Sequence, residues 1–153
     1  MKRYEIGLLG LVGMVFASLI LIACADNASG SRDERQQILD SLPVYQGATL
    51  VLEYELDQAG EKTLVREYAI DANPAEGANA VTRHYGEVLV AAGWQEGEAR
   101  AAVSGFSKDE NRLILGRVGP SIFEPPSEAR VTYRAEAPGS TGFFFTLEVS
   151  SGR

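Results

Sequence analysis

The chain has 153 residues, 14 Lys or Arg against 21 Asp or Glu, and a formal net charge of −7. An acidic chain repels phosphate backbones and anionic headgroups, so nucleic-acid binding and attachment to a membrane through a basic patch are both disfavoured. It holds a single cysteine, which rules out an internal disulfide, and its length suits one domain.

Met1-Lys2-Arg3 is a short basic start, and from Ile6 to Ala25 there is no charged residue. A basic start, an apolar middle and a small-residue end are the layout of a secretory signal. Its end, Leu21-Ile22-Ala23-Cys24, resembles the bacterial lipoprotein box, in which an aliphatic and a small residue precede a cysteine that is diacylated and becomes the new first residue. The chemistry calls for a thiol, a soft nucleophile able to take the diacylglyceryl group as a thioether, and Cys24 is the lone cysteine. The alternative is an uncleaved helix, since twenty residues at about 1.5 Å each reach roughly 30 Å, enough for a bilayer core. Gly7, Gly10, Gly13 and the placement of Cys24 argue for the lipoprotein. The resemblance implies a signal peptide over 1–23 and a body facing away from the cytoplasm, held by lipid at the cell membrane or the outer membrane. Loss of Lys2, Arg3 and Glu5 leaves a mature chain from Cys24 with net charge −8.

Residues 24–30 lack a large apolar side chain and read as a flexible tether, followed by one domain over 31–153. Ser31 with Glu34 three residues on has the form of a capping box. It opens a short helix over Asp33–Leu42, with Ile38, Leu39 and Leu42 on one face and Pro43 as its stop. Thr49–Leu56 alternates, with Leu50, Leu52, Tyr54 and Leu56 on one side and Val51, Glu53 and Glu55 on the other. Thr63–Ile70 returns as the second half of a hairpin.

Asn73 and Pro74 open the main helix, and Ala78, Val81, Tyr85, Val88, Leu89 and Ala92 form its apolar stripe. Gly93 supplies a left-handed stop, and Trp94 is placed to fold back on Leu89. A second hairpin is expected over Arg100–Phe106 and Arg112–Val118, then a loop over Gly119–Ser127, then strands around Val131–Ala135 and Phe143–Ser150. The expected fold is α+β, a mostly antiparallel sheet covered on one face by one main helix, with a short N-terminal helix.

Pro43-Val44-Tyr45-Gln46-Gly47-Ala48, His84-Tyr85 within the main helix, Leu89 and Gly93-Trp94 together resemble a loose group of small exported bacterial proteins. In that group a Tyr-Pro-Gly-Ala turn precedes a Phe-Tyr, Leu, Gly-Trp helix. The similarity spans roughly Pro43 to Val118, with Gln46 replacing the usual proline and His84 the usual phenylalanine. It implies a fold and carries almost no function, its members being mostly uncharacterised.

No residue is assigned to catalysis, a cofactor or a metal. His84 is the only histidine and lacks the second histidine or cysteine that a metal set needs, so a structural or surface role is expected of it. Glu53 and Glu55 on alternate positions read as the solvated side of an outer strand, with a paired-carboxylate site as the alternative. Arg66 is expected at a sheet edge with its charge in water, or else at an anion site. Ser104, Ser107 and Ser121 have no nucleophile-elbow context. Trp94 and Phe143 to Phe145 read as core, or as the lining of a pocket for a small apolar ligand. Phe123, Pro125 and Pro126 form a stiff loop suited to contact with another envelope protein, or serving as a rigid connector. The expected function is therefore a lipid-anchored binding or assembly module, with a small hydrolase using His84 and a carboxylate, or an apolar-ligand binder, as alternatives.

Overall fold

The computed structural model describes residues 31–97 and 103–151. The expected signal peptide, Cys24, the expected tether and the first residues of the expected second hairpin lie outside them. Two helices, α1 (Arg32–Ser41) and α2 (Pro74–Ala91), accompany seven strands: β1 (Ala48–Gln58), β2 (Glu61–Ile70), β3 (Gln95–Glu96), β4 (Val103–Lys108), β5 (Asn111–Gly119), β6 (Arg130–Arg134) and β7 (Phe143–Ser151). The strands form one sheet in the order β3-β4-β5-β7-β2-β1-β6, antiparallel at every pairing. The fold is α+β. Among the described residues no helix is long and apolar enough to cross a membrane.

The helix ends follow from their capping residues. Ser31 is extended and its hydroxyl accepts the Glu34 amide, satisfying one of the donors that a helix start leaves free. At the end of α2, Gly93 sits at φ +85°, Trp94 N–H donates to Leu89 C=O at 2.9 Å and Gly93 N–H to Val90 C=O at 3.0 Å. This is the Schellman ending, and it delivers Trp94 into the same apolar cluster as Leu89.

The last strand occupies the middle of the sheet, between β5 and β2. Both of its edges are paired, and helices on one side and the smaller cluster on the other leave residues of both its faces buried, which its place at the end of the sequence does not advertise. Phe143, Phe145, Leu147 and Val149 enter a cluster with Leu64 and Tyr68 of β2, Leu113 and Leu115 of β5, Ala78, Val81, Tyr85 and Leu89 of α2, and Leu39 of α1. Both helices thus contribute to the core on the first face. Phe144 points the other way, into a smaller cluster with Val51, Leu52, Tyr54, Val65 and Ala69.

The expected alternation of β1 breaks at Val51. Leu50 pairs with Tyr68 but Leu52 pairs with Glu67, so one extra residue is inserted between them. Such a bulge reverses the phase of every later side chain. Leu50 packs against the first-face cluster, whereas Leu52 and Tyr54 lie in the second. By the same shift Glu53, opposite Arg66, and Glu55, opposite Leu64, are carried onto the first face.

Candidate functional site

That phase reversal overturns the solvated reading of Glu53 and Glu55. Glu53 is only 8% exposed and Arg66, opposite it, is equally covered. Arg66 Nε donates to Glu53 Oε2 and its Nη2 to Asp40 Oδ1 of α1, both at 2.7 Å. Arg32 reaches Glu55 at 2.5 Å and Glu53 at 3.9 Å. Burial disfavours the Arg66 charge, but hydrogen bonds to Glu53 and Asp40 more than offset it, so its pKa is raised. Arg66 is thus neither at a sheet edge nor free to take an anion: its charge clamps α1 to β1 and β2. The carboxylates are used structurally, and a bulge that sequence periodicity cannot show put them there.

The second face holds a different arrangement. On it Leu52, Glu67, Thr146 and Gly116 stand side by side across β1, β2, β7 and β5. Glu67 has no solvent exposure. Its Oε1 accepts the Phe123 amide at 2.9 Å, while Oε2 has no partner among the described residues. Burial pushes the Glu67 carboxyl up to about 7, against the Phe123 hydrogen bond, which favours the ion. Glu124 adds to the rise and Arg134 opposes it. Glu148, on the same face, is also shifted upward by burial, while its bond from Thr146 and the charge of Arg112 work the other way. Burial, then Glu148 and Glu67, drive Tyr54 to about 12, so its hydroxyl stays neutral.

The chain between β5 and β6 is what covers Glu67. Ile122 and Ala129 pack against the second cluster, Pro125 and Pro126 are half-buried, and Phe123 keeps its ring 45% exposed. This loop therefore acts as a strap: its backbone is tied to a buried carboxylate and its aromatic side chain is turned outward. Glu124 pairs with Arg134 of β6 at 3.4 Å, holding the far side of the loop. Phe123, Pro125 and Pro126 are thus brought together as the loop composition suggested. Glu67 was missed, although Val65 and Ala69 on either side of it signal that this face of β2 is also covered.

His84 lies edge-on to the rings of Tyr45 and Tyr85, with centroids at 5.3 and 5.0 Å. Its Nε2 has no partner among the described residues. The Tyr85 hydroxyl accepts the Tyr45 amide at 3.2 Å, so α2 is fastened to the turn before β1 through the same aromatic group. Burial raises Tyr85 to about 12 and the Tyr45 bond resists it. Phe143, Phe144 and Phe145 are core.

Trp94 is 7% exposed and forms part of a groove of about 240 Å³ between α1, the end of α2 and the turn joining β4 to β5. Ile38, Leu42 and Val88 supply its apolar wall, with Lys108 and Asn111 on its polar side. Lys108 Nζ donates to Ala92 C=O at 2.7 Å, closing the last turn of α2 against the hairpin. Among the described residues no three His, Cys, Asp or Glu side chains are gathered as a metal would require. Compared with protein-family models, with curated proteins and with solved structures, the chain has no match.

Proposed function

We propose that this chain is a lipid-anchored, extracytoplasmic binding or assembly module of a bacterial cell envelope, held through Cys24, with α2 as the main cover of one sheet face and the opposite side given to contact. It acts without catalysis. The observation that carries the contact role is the Phe123 strap: an exposed ring on a backbone stiffened by Pro125-Pro126 and tied to Glu67. A preorganised aromatic loses little conformational entropy on docking. Val131 of β6, opposite Tyr54 of the second cluster, is another large apolar side chain left exposed on that side.

The anchor is tested by intact-mass analysis of protein extracted with detergent from its host's membranes. A chain starting at residue 24 and heavier by a diacylglyceryl group, with Cys24→Ser uncleaved or released, supports this reading; an unmodified full-length chain overturns it in favour of a membrane helix. The contact role is tested by placing a photocrosslinking amino acid at position 123. Crosslinks to a discrete envelope protein are expected, and their absence in intact cells argues against the strap as the contact.

A second reading, a binder of small apolar ligands, is favoured by the groove beside Trp94. Titration with a fluorescent fatty acid, read by quenching of the single tryptophan, decides it; no change in emission removes this reading.

A further inference from the structure

The strap over residues 120–129 is held to the sheet by little. None of its residues is fully buried; Ile122, Pro125, Pro126 and Ala129 are half-covered and the rest exposed. Among the described residues its polar ties to the sheet are two, the Phe123 amide on Glu67 and Glu124 on Arg134. The second is an exposed pair, 76% and 48% open at the side chains, and such pairs contribute under about 1 kcal/mol. Its other hydrogen bonds, Ala129 N–H to Pro126 C=O and Ser127 Oγ to Glu128 Oε2, lie within the strap itself. A segment with few buried contacts and no strand pairing opens locally at small cost. Its docking rests on Ile122 and Ala129 against the second cluster and on one carboxylate.

That carboxylate is badly placed for a charge. Glu67 has no exposure, its Oε1 accepts the Phe123 amide, and its Oε2 has no partner among the described residues. Thr146, opposite it on β7, gives its hydroxyl to Glu148 at 3.1 Å, while Leu52, opposite it on β1, and Gly116 of β5 have no donor side chain. Glu148 of β7 and Tyr54 of β1 stand diagonally to it, and the nearest β5 cation, Arg112, acts on Glu148. From the strap Glu124 opposes the ion, and from β6 Arg134 favours it. An ionised Glu67 under a closed strap leaves one carboxylate oxygen bare in a dry site, whereas a protonated one still accepts the Phe123 amide. Opening the strap solvates the ion, so ionisation and opening promote one another.

We propose that the strap is a proton-operated latch, closed over a protonated Glu67 with Phe123 fixed for contact, and released when Glu67 ionises. Release uncovers Glu67 and the part of the second cluster on which Ile122 and Ala129 pack. This rests on the contact role given to Phe123 and adds the regulation of that contact, which is favoured in mildly acidic surroundings and weakened above neutrality. Glu67 titrates near 7 beneath the strap against an ordinary 4.5, so the ratio of open to closed strap rises roughly tenfold to a hundredfold between pH 5 and pH 8.

The test is hydrogen exchange of the full chain in nonionic detergent at pH 5 and pH 8, read by mass spectrometry and corrected for the intrinsic exchange rate, with β7 as the reference. The strap is expected to open more often than β7 at both pH values, with little dependence on low urea, and to open roughly tenfold to a hundredfold more at pH 8. Glu67→Gln, a neutral mimic of the protonated acid, is expected to abolish that rise, and Glu148→Gln to keep it. Strap exchange that is indifferent to pH, that matches β7 in rate and urea dependence, or that keeps its pH response in Glu67→Gln or loses it in Glu148→Gln overturns the latch. Crosslinking from position 123 is expected to fall from pH 5 to pH 8 in the parent chain and to stay constant in Glu67→Gln. Equal yields at both pH values in the parent chain overturn the regulation of contact. No crosslink at either pH, with exchange behaving as expected, overturns the contact role alone and leaves the latch intact.

Discussion

The amide of Phe123 and the carboxylate of Glu67 meet at 2.9 Å beneath the loop that joins β5 to β6, so the one aromatic of that loop, itself exposed, is tethered by a group with no access to water. The bond favours the carboxylate, whereas burial favours the acid, and burial prevails. This conflict in one side chain makes the strap sensitive to pH.

The sign follows from the direction of the shift. The Glu67 carboxyl titrates near 7 in the fold against an ordinary value of 4.5, so the folded state prefers the protonated form. Its contribution to stability is fully present below about pH 4.5, is lost progressively as pH rises to about 7, and is constant above that. Urea denaturation between pH 4 and 8 is expected to show a decline of about 1–3 kcal/mol that Glu67→Gln removes. An unchanged profile in the Gln variant would show that Glu67 is not the titrating group.

Glu53 and Arg66 are both nearly enclosed, so removing one deprives the other of its closest buried charge partner, leaving Arg66 with Asp40 or Glu53 with the Thr132 hydroxyl and the more distant Arg32. Arg66→Ala is expected to cost about 3 kcal/mol, because a buried carboxylate is left without its closest partner. Asp40→Ala, whose side chain is 56% exposed, is expected to cost under about 1 kcal/mol. Thermal denaturation of both variants checks the contrast, and equal losses would argue against the clamp.

Two glycines of α2 are expected to respond oppositely to alanine. A Cβ at Gly86 meets nothing within 4 Å, so Gly86→Ala is expected to stabilise by about 0.5–1 kcal/mol through helix propensity. A Cβ at Gly77 falls 2.5 Å from Cε1 of Phe143, a ring fixed in the core. Gly77→Ala is expected to cost about 1–3 kcal/mol, the penalty of overpacking, read from the same denaturation curves.

Gly93 adopts φ +85°, and the two hydrogen bonds of the helix ending depend on it. Gly93→Ala is expected to destabilise by about 1 kcal/mol and to red-shift the emission of the buried Trp94 as its packing on Leu89 loosens. Unaltered fluorescence together with unaltered stability would count against this account of the ending.

Local rules determined much of this protein. Ser31, the Asn73-Pro74 pair and Gly93 set the helix ends because capping depends on residues only a few positions apart. The two hairpins follow from alternation interrupted by turn residues, and in the last strand Phe143, Phe145, Leu147 and Val149, two apart in sequence, share the first face. The fold class was legible for the same reason.

What the sequence left to tertiary structure is everything that depends on pairing between distant strands. Placing the last strand at the centre of the sheet pairs both its edges, and inserting Val51 as a bulge reverses the facing of Glu53 and Glu55. Neither is encoded by residues near the position concerned. The solvation of Glu53, Arg66 and Glu67 was decided by α1 and by the 119–129 loop, elements well separated from them in sequence, since burial is a property of what lies across a contact and not of the residue that is buried.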